Sequence, residues 1–109
     1  MATLQIIDNF VNSLIDTPEV AFTAGGQSVV VEAFTAVNNS SVNANYKAYI
    51  KTTDGILTPI RPFKIVVWGE IDLGIGIVNQ AIPARAQLMF ESSALESIYF
   101  TVTGREIVT

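Results

Sequence analysis

The feature that most constrains this chain is its rhythm after residue 18. Short runs of β-branched and aromatic residues return about every ten residues, with clusters of Gly, Pro, Asn, Asp and Ser between them. The clearest run is 42–53. There Val42, Ala44, Tyr46, Ala48 and Ile50 alternate with Asn43, Asn45, Lys47, Tyr49 and Lys51. Successive side chains of a strand point to opposite faces, so the run predicts a half-buried strand with the first set inward. Asp54-Gly55 follows it and is the strongest short hairpin signal in the chain.

The same reading places strands at 20–23, 28–37, 63–68, 75–78, 87–90 and 95–103, the last with Ile98, Phe100 and Val102 on one face. Ala24-Gly25-Gly26-Gln27 reads as a hairpin turn, Asn38-Asn39-Ser40-Ser41 as a turn, and 91–94 as a polar turn. Gly104-Arg105 reads as the end of the last strand. Pro59 and Pro62 remove ladder donors, so 56–62 reads as an edge or crossing segment. No helical pattern sits between the strands, which argues against a parallel α/β sheet. The expected fold is all-β: an antiparallel β-sandwich or jelly roll of seven or eight short strands, filling 18–109 as one domain.

Residues 1–17 are expected to form a separate terminal element. Leu4, Ile7, Val11, Leu14 and Ile15 recur at spacings near three and four, with Ile6 and Phe10 beside them. That spacing reads first as an amphipathic helix over 3–16, stopped by Thr17-Pro18. The alternative is an extended arm, because Ile, Val and Phe also favour strands. Either form presents apolar residues to the domain's own core or to a neighbouring copy.

Composition narrows the chemistry. The 109 residues include no Cys and no His. Thiol nucleophiles, disulfides, Cys/His zinc sites and His general bases are therefore excluded. The net charge is −4, and Lys47, Lys51, Arg61, Lys64, Arg85 and Arg105 are scattered rather than clustered. Phosphate neutralisation requires a basic stripe, so no nucleic-acid partner is expected. No apolar run approaches the length of a bilayer-spanning helix. With Met1 as the start, the N-terminus has neither a basic leader region nor a continuous apolar segment, and Asp8 interrupts it. The expectation is a protein made and kept inside the cell.

Residues 68–80, WGEIDLGIGIVNQ, hold the only motif-like features. Gly74 and Gly76 begin a dinucleotide fingerprint, but the third glycine and the following helix are missing. On a strand the two glycines bare one face, against which a ring or a backbone can sit. Glu70 and Asp72 are two apart and would share a face. Two carboxylates do not supply the oxygen ligands calcium needs, and a place on the solvent side of a loop or strand, or pairing with Arg61, Lys64 or Arg85, accounts for them. No serine lies in a nucleophile elbow. No cofactor, metal, small-molecule substrate or catalytic residue is therefore expected. Trp68 and Phe63, in an apolar run, read as core. Tyr49 and Tyr99 fall on the polar faces of their strands and read as interface anchors.

Charged residues make up 15% of the chain, against about 25% in a typical soluble domain. So little charge leaves much surface to be covered by other copies or a partner. The expected role is a structural self-assembly subunit. The first expectation is a virion component, such as a capsid decoration, minor capsid or tail protein, packing with copies of itself or with a viral shell protein in the host cytoplasm. A subunit of an extracellular filament or appendage is the alternative, and an immunoglobulin-like or carbohydrate-binding module a further one. The residues expected at an interface are Leu4, Ile7, Phe10, Val11, Leu14, Tyr49, Gly74, Gly76 and Tyr99.

Overall fold

A computed structural model describes residues 4–10, 18–74, 77–94 and 97–107. They form nine strands: β1 (Leu4–Phe10), β2 (Glu19–Thr23), β3 (Val29–Asn38), β4 (Ala44–Lys51), β5 (Leu57–Val66), β6 (Ile71–Asp72), β7 (Ala81–Ile82), β8 (Gln87–Ser92) and β9 (Ile98–Glu106). All pairings are antiparallel. One sheet runs β1-β9-β3 with β6 and β7 beyond β3, and the other runs β2-β8-β4-β5.

β6 pairs with Ala36 and Val37 of β3, and β7 with Val29 and Val30. The two short strands thus hold opposite ends of one strand position. Counted that way, the first strand pairs with the last, the second with the next to last, and so inward to β4 and β5. The chain is one long antiparallel hairpin whose successive rungs fall alternately in the two sheets. That is the jelly-roll form of the sandwich.

The expected alternation of β4 is present from Ala44 on: Ala44, Tyr46, Ala48 and Ile50 are buried, whereas Val42, expected in the same inward row, precedes the strand and is exposed. Leu88 and Phe90 of β8 join them from the same sheet, and Phe34, Ala36, Ile98, Phe100 and Val102 face them from the other. At the centre the rings of Phe34, Tyr46, Phe90 and Phe100 form a four-membered cluster with centroids 4.5 to 6.4 Å apart. Large, rigid rings contribute both buried area and edge-to-face contact.

In β3, Val31 and Phe34 are both buried although three residues apart. The register with β9 shifts between Val31 and Ala33, leaving Glu32 as the extra residue of a bulge. One inserted residue moves the inward set to the other parity. β1 does the same at Ile6, which the bulge turns into the core. Between the two bulges lies Gly104 of β9, paired with Leu4 on one side and Val31 on the other. A Cβ there would stand 2.5 Å from the Val30 carbonyl oxygen and 2.7 Å from Ile6 Cδ1. Gly104 therefore does not end the strand. It lets two bulged neighbours close in on it.

Several expectations are corrected. Of the two forms expected for the N-terminal element, residues 4–10 take the extended one and not the helix, because β9 offers them a sheet edge and the core has a place for Ile6. Gly25-Gly26 is not a hairpin turn, since β2 and β3 lie in different sheets. Residues 77–79 form a turn, not a strand, with the amides of Ile77 and Val78 donating to the Gly74 carbonyl at 2.8 and 3.1 Å. Glu91 and Ser92 belong to β8 and are buried. Pro59 and Pro62 do mark an edge: β5 is the outer strand of its sheet. The boundary expected at residue 17, and the remainder of the N-terminal element at 11–17, lie outside the described residues.

The strand ends sort the loops into two groups. Residues 24–28, 52–56 and 83–86 share one end with Leu4 and Glu106. Ala24 donates to Ala86, Arg85 to Gly25 and Ile107 to Ser28, each at 2.8 or 2.9 Å. Residues 38–43 and 67–70 share the opposite end, where the Gly69 amide donates to the Asn38 carbonyl at 2.9 Å.

Candidate interaction surface

At that second end, Asn38 holds two loops together. Its side-chain amide donates to the carbonyls of Val42 and Val66 at 2.9 and 2.8 Å. Its Oδ1 accepts from the Ser40 amide and hydroxyl at 3.0 and 2.7 Å. Asn43 Oδ1 accepts from the Trp68 amide at 3.2 Å. The turn after β5 is thereby fixed, with Gly69 supplying its positive φ of 77°.

β6 then inverts the usual alternation. Asp72 points inward and is 9% exposed, while Ile71 and Leu73 point outward. The cause is the acceptor chemistry of the carboxylate. Tyr46, fully buried in the opposite sheet, donates its hydroxyl to Asp72 Oδ2 at 2.5 Å. The Gly74 amide donates to the same oxygen at 3.3 Å, and Lys64 Nζ lies 3.8 Å from Oδ1. A buried carboxylate is tolerated where donors and a cation surround it. With a strand period of two, Asp72 turned inward leaves its apolar neighbours in water. Of the two carboxylates, Asp72 faces Lys64 and Glu70 stays on the surface.

The result is a set of exposed apolar residues on the two sides of the β5–β6 turn and on the turn itself. Ile65 is 50% exposed, Val67 41%, Trp68 59%, Ile71 58% and Leu73 65%, and Val42 stands beside the turn at 59%. A shallow groove of about 180 Å³ joins the end of β5 to β6, lined by Lys64, Ile65, Val67, Glu70 and Ile71. Trp68 is not core as expected. β5 ends at Val66, and the turn carries the indole out past the sheet.

Comparisons of the chain with protein-family models, curated proteins and solved structures return no match. The site is thus read from its own geometry.

The residues expected at an interface scatter. Gly74 is buried with φ of 71°, and a Cβ on it would stand 2.4 Å from Phe34 Cδ1. The ring that sits on this glycine belongs to the same chain. Phe10 and Tyr99 pack edge-on against each other at 4.9 Å across β1 and β9. Tyr49 is half-buried and donates its hydroxyl to Glu91, itself 1% exposed. Ile7 packs against the core. Leu4 opens β1, while its side chain and that of Phe63 lie outside the described set. Val11, Leu14 and Gly76 lie outside the described residues. The sequence reading missed Val42, Ile65, Val67, Ile71 and Leu73. The signal was present in Glu70-Ile71-Asp72-Leu73, an alternation whose inward face was assigned by polarity alone.

A second concavity, about 470 Å³, lies at the opposite end among Lys51, Thr52, Asp54, Arg85 and Gln87. It is open and polar, without the apolar lining of a small-molecule pocket. Among the described residues no cluster of three or more His, Cys, Asp or Glu is placed to hold a metal ion. No helix among them is long and apolar enough to cross a membrane.

Proposed function

We propose that the chain is a structural assembly subunit that works by packing against other protomers, with a virion component as the first setting and a filament subunit as the second. In this reading it is not an enzyme, and its partners are copies of itself or a shell protein. The observation that carries the reading is the exposure of apolar residues from Ile65 to Leu73, around the turn that joins the two sheets. A charge-poor domain that leaves Trp68, Ile71 and Leu73 in solvent, while turning Asp72 inward, is arranged for contact rather than for solitary solubility. Jelly rolls serve as capsid and lectin domains, and this analogy adds weight at the level of fold only.

Light scattering and negative-stain imaging of the purified protein test the reading. The expected result is a mass of several chains that grows into regular particles with concentration. A single-chain mass throughout would sink it. A carbohydrate-binding module is the second reading, and the exposed indole of Trp68 favours it. That reading predicts a monomer whose Trp68 emission responds to soluble glycans.

A further inference from the structure

We infer that the concavity between the β4–β5 hairpin and the loop before β8 binds a carboxylate-bearing sugar, with Arg85 and Lys51 on the carboxylate and Asp54 on the ring hydroxyls. The site lies at the pole opposite Trp68. It goes beyond the assembly reading and does not depend on it.

The topology brings these residues together. Lys51 of β4 and Gln87 of β8 are register partners, and both are half-buried members of the outward rows of their strands. They therefore stand side by side on the outer face of that sheet. Residues 52–56 continue from Lys51, and residues 83–86 lead into Gln87, so each strand brings the loop at its own end. The hairpin is closed by the Gly55 amide donating to the Thr52 carbonyl at 2.9 Å and the Thr52 amide to that of Ile56 at 3.1 Å. The space enclosed, about 470 Å³, falls in the range of ligand pockets. Its lining of hydroxyl, amide and charged groups suits a hydroxylated ligand and not an apolar one.

Charge narrows the ligand class. Lys64 faces Asp72, and Arg105 pairs with Glu32. Among the described residues, neither Lys51 nor Arg85 has an ion-pair partner. Two unpaired cations thus meet in one concavity of a chain whose net charge is −4. Asp54 is the third charge there, and the Thr52 hydroxyl that it accepts favours its ionised form. Two cations against one anion suit a ligand with a single negative charge. A carboxylate fits the planar fork of Arg85, and ring hydroxyls can donate to the lone pairs of Asp54 that Thr52 leaves open. A phosphate dianion or a nucleic-acid backbone would meet Asp54 as a like charge.

The backbone of Arg85 is fixed before any ligand arrives. Its φ is 65°, a left-handed conformation that a residue with a Cβ adopts at a cost. The Arg85 amide donates to the Gly25 carbonyl at 2.9 Å, and the next amide, of Ala86, to the Pro83 carbonyl at 3.0 Å. A guanidinium carried on a turn fastened at both amides loses less freedom on binding than one on a loose loop.

Amide NMR shifts of the full chain, titrated with methyl glucuronide and with free glucuronate, test the inference. The glycoside stands for the end of a glycan and the free acid for a monosaccharide. Acetate supplies the charge alone, methyl glucoside the hydroxyls alone, and inorganic phosphate a second class of anion. The expected result is saturable shifts at residues 51–55 and 85–87 with one or both sugar acids, at a Kd of about 1 mM, and no shift of the Trp68 indole. Each control should bind at least about 10-fold more weakly. Arg85→Gly relieves the left-handed strain and should keep the circular dichroism of the parent while weakening the sugar acid about 10-fold or more. Lys51→Gln should weaken it about 3-fold to 10-fold. Asp54→Asn should narrow the gap between glucuronide and phosphate, because it removes the like charge.

Absence of saturable shifts at 51–55 and 85–87 with both sugar acids overturns the inference. So does binding of acetate or phosphate as tight as that of the sugar acid, or unchanged affinity in Arg85→Gly and Lys51→Gln. Shifts centred on Trp68 overturn it as well and move the ligand to the other pole. None of these results bears on assembly, which mass alone reports.

Discussion

Gly74 joins two constraints at one residue, a left-handed φ and the Phe34 ring against its Cα. Gly74→Ala is expected to destabilise the fold by about 2–4 kcal/mol, combining left-handed strain with overpacking. The midpoint of urea unfolding measures it. Tyr46→Phe removes the closest donor to Asp72 described above and should cost about 1–3 kcal/mol, the range for a buried acceptor left short of a partner. At the exposed hairpin the Thr52 hydroxyl donates to Asp54 and holds its carboxyl below the ordinary value. A lowered folded pKa means that the contact stabilises the hairpin above the ordinary carboxylate range and is lost as pH falls through the folded value. An NMR titration of Asp54 should show its midpoint rise in Thr52→Val. An unchanged midpoint would remove Thr52 as the cause. At this scale the sequence is legible where a residue has one use, as at Asp54-Gly55. It misleads at Asp72, whose inward turn depends on a hydroxyl twenty-six positions away that no local pattern displays.

Among the elements, β1 is the one for which the sequence left two forms open. Its apolar spacing satisfies a helix and a strand alike, and the free edge of β9 decides for the strand. It is a part of the sheet, not a loose appendage. Ile6→Ala should cost about 2–4 kcal/mol, as for other buried Ile truncations. A loss below 0.5 kcal/mol would mean that Ile6 does not hold the sheets together. The bulges at Ile6 and Glu32 were illegible for a related reason. A bulge is a property of a pair of strands, and each strand read alone shows only a fault in its alternation. Glu32 has a clear outcome all the same: turned outward, it meets Arg105 on the neighbouring strand. β4 was legible because it carries no insertion over its whole inward row. The pairing of β4 with β5 was legible too, since Asp54-Gly55 joins neighbours in sequence. Gly25-Gly26 looks similar in composition, yet it passes the chain from one sheet to the other.

For the whole molecule, the all-β antiparallel sandwich follows from the sequence, and the partners of its strands do not. Only β4 and β5 pair across a short loop, whereas β1 must find β9 and β2 must find β8. Loop closure on that scale is costly before any contact compensates, so folding should be slow for a domain of this size, in about milliseconds to seconds. Stopped-flow circular dichroism after dilution from urea checks this, and microsecond refolding would contradict the topology. The same wrapping of one hairpin settles a practical matter of orientation. Leu4 and Glu106 lie at the end of the sandwich that holds loops 24–28, 52–56 and 83–86, and Trp68 lies at the other. A tether attached at Glu106, exposed at that end, hangs from the pole opposite Trp68. Protein anchored through it would stand on a support with the 67–70 turn facing outward, free to capture whatever fits it.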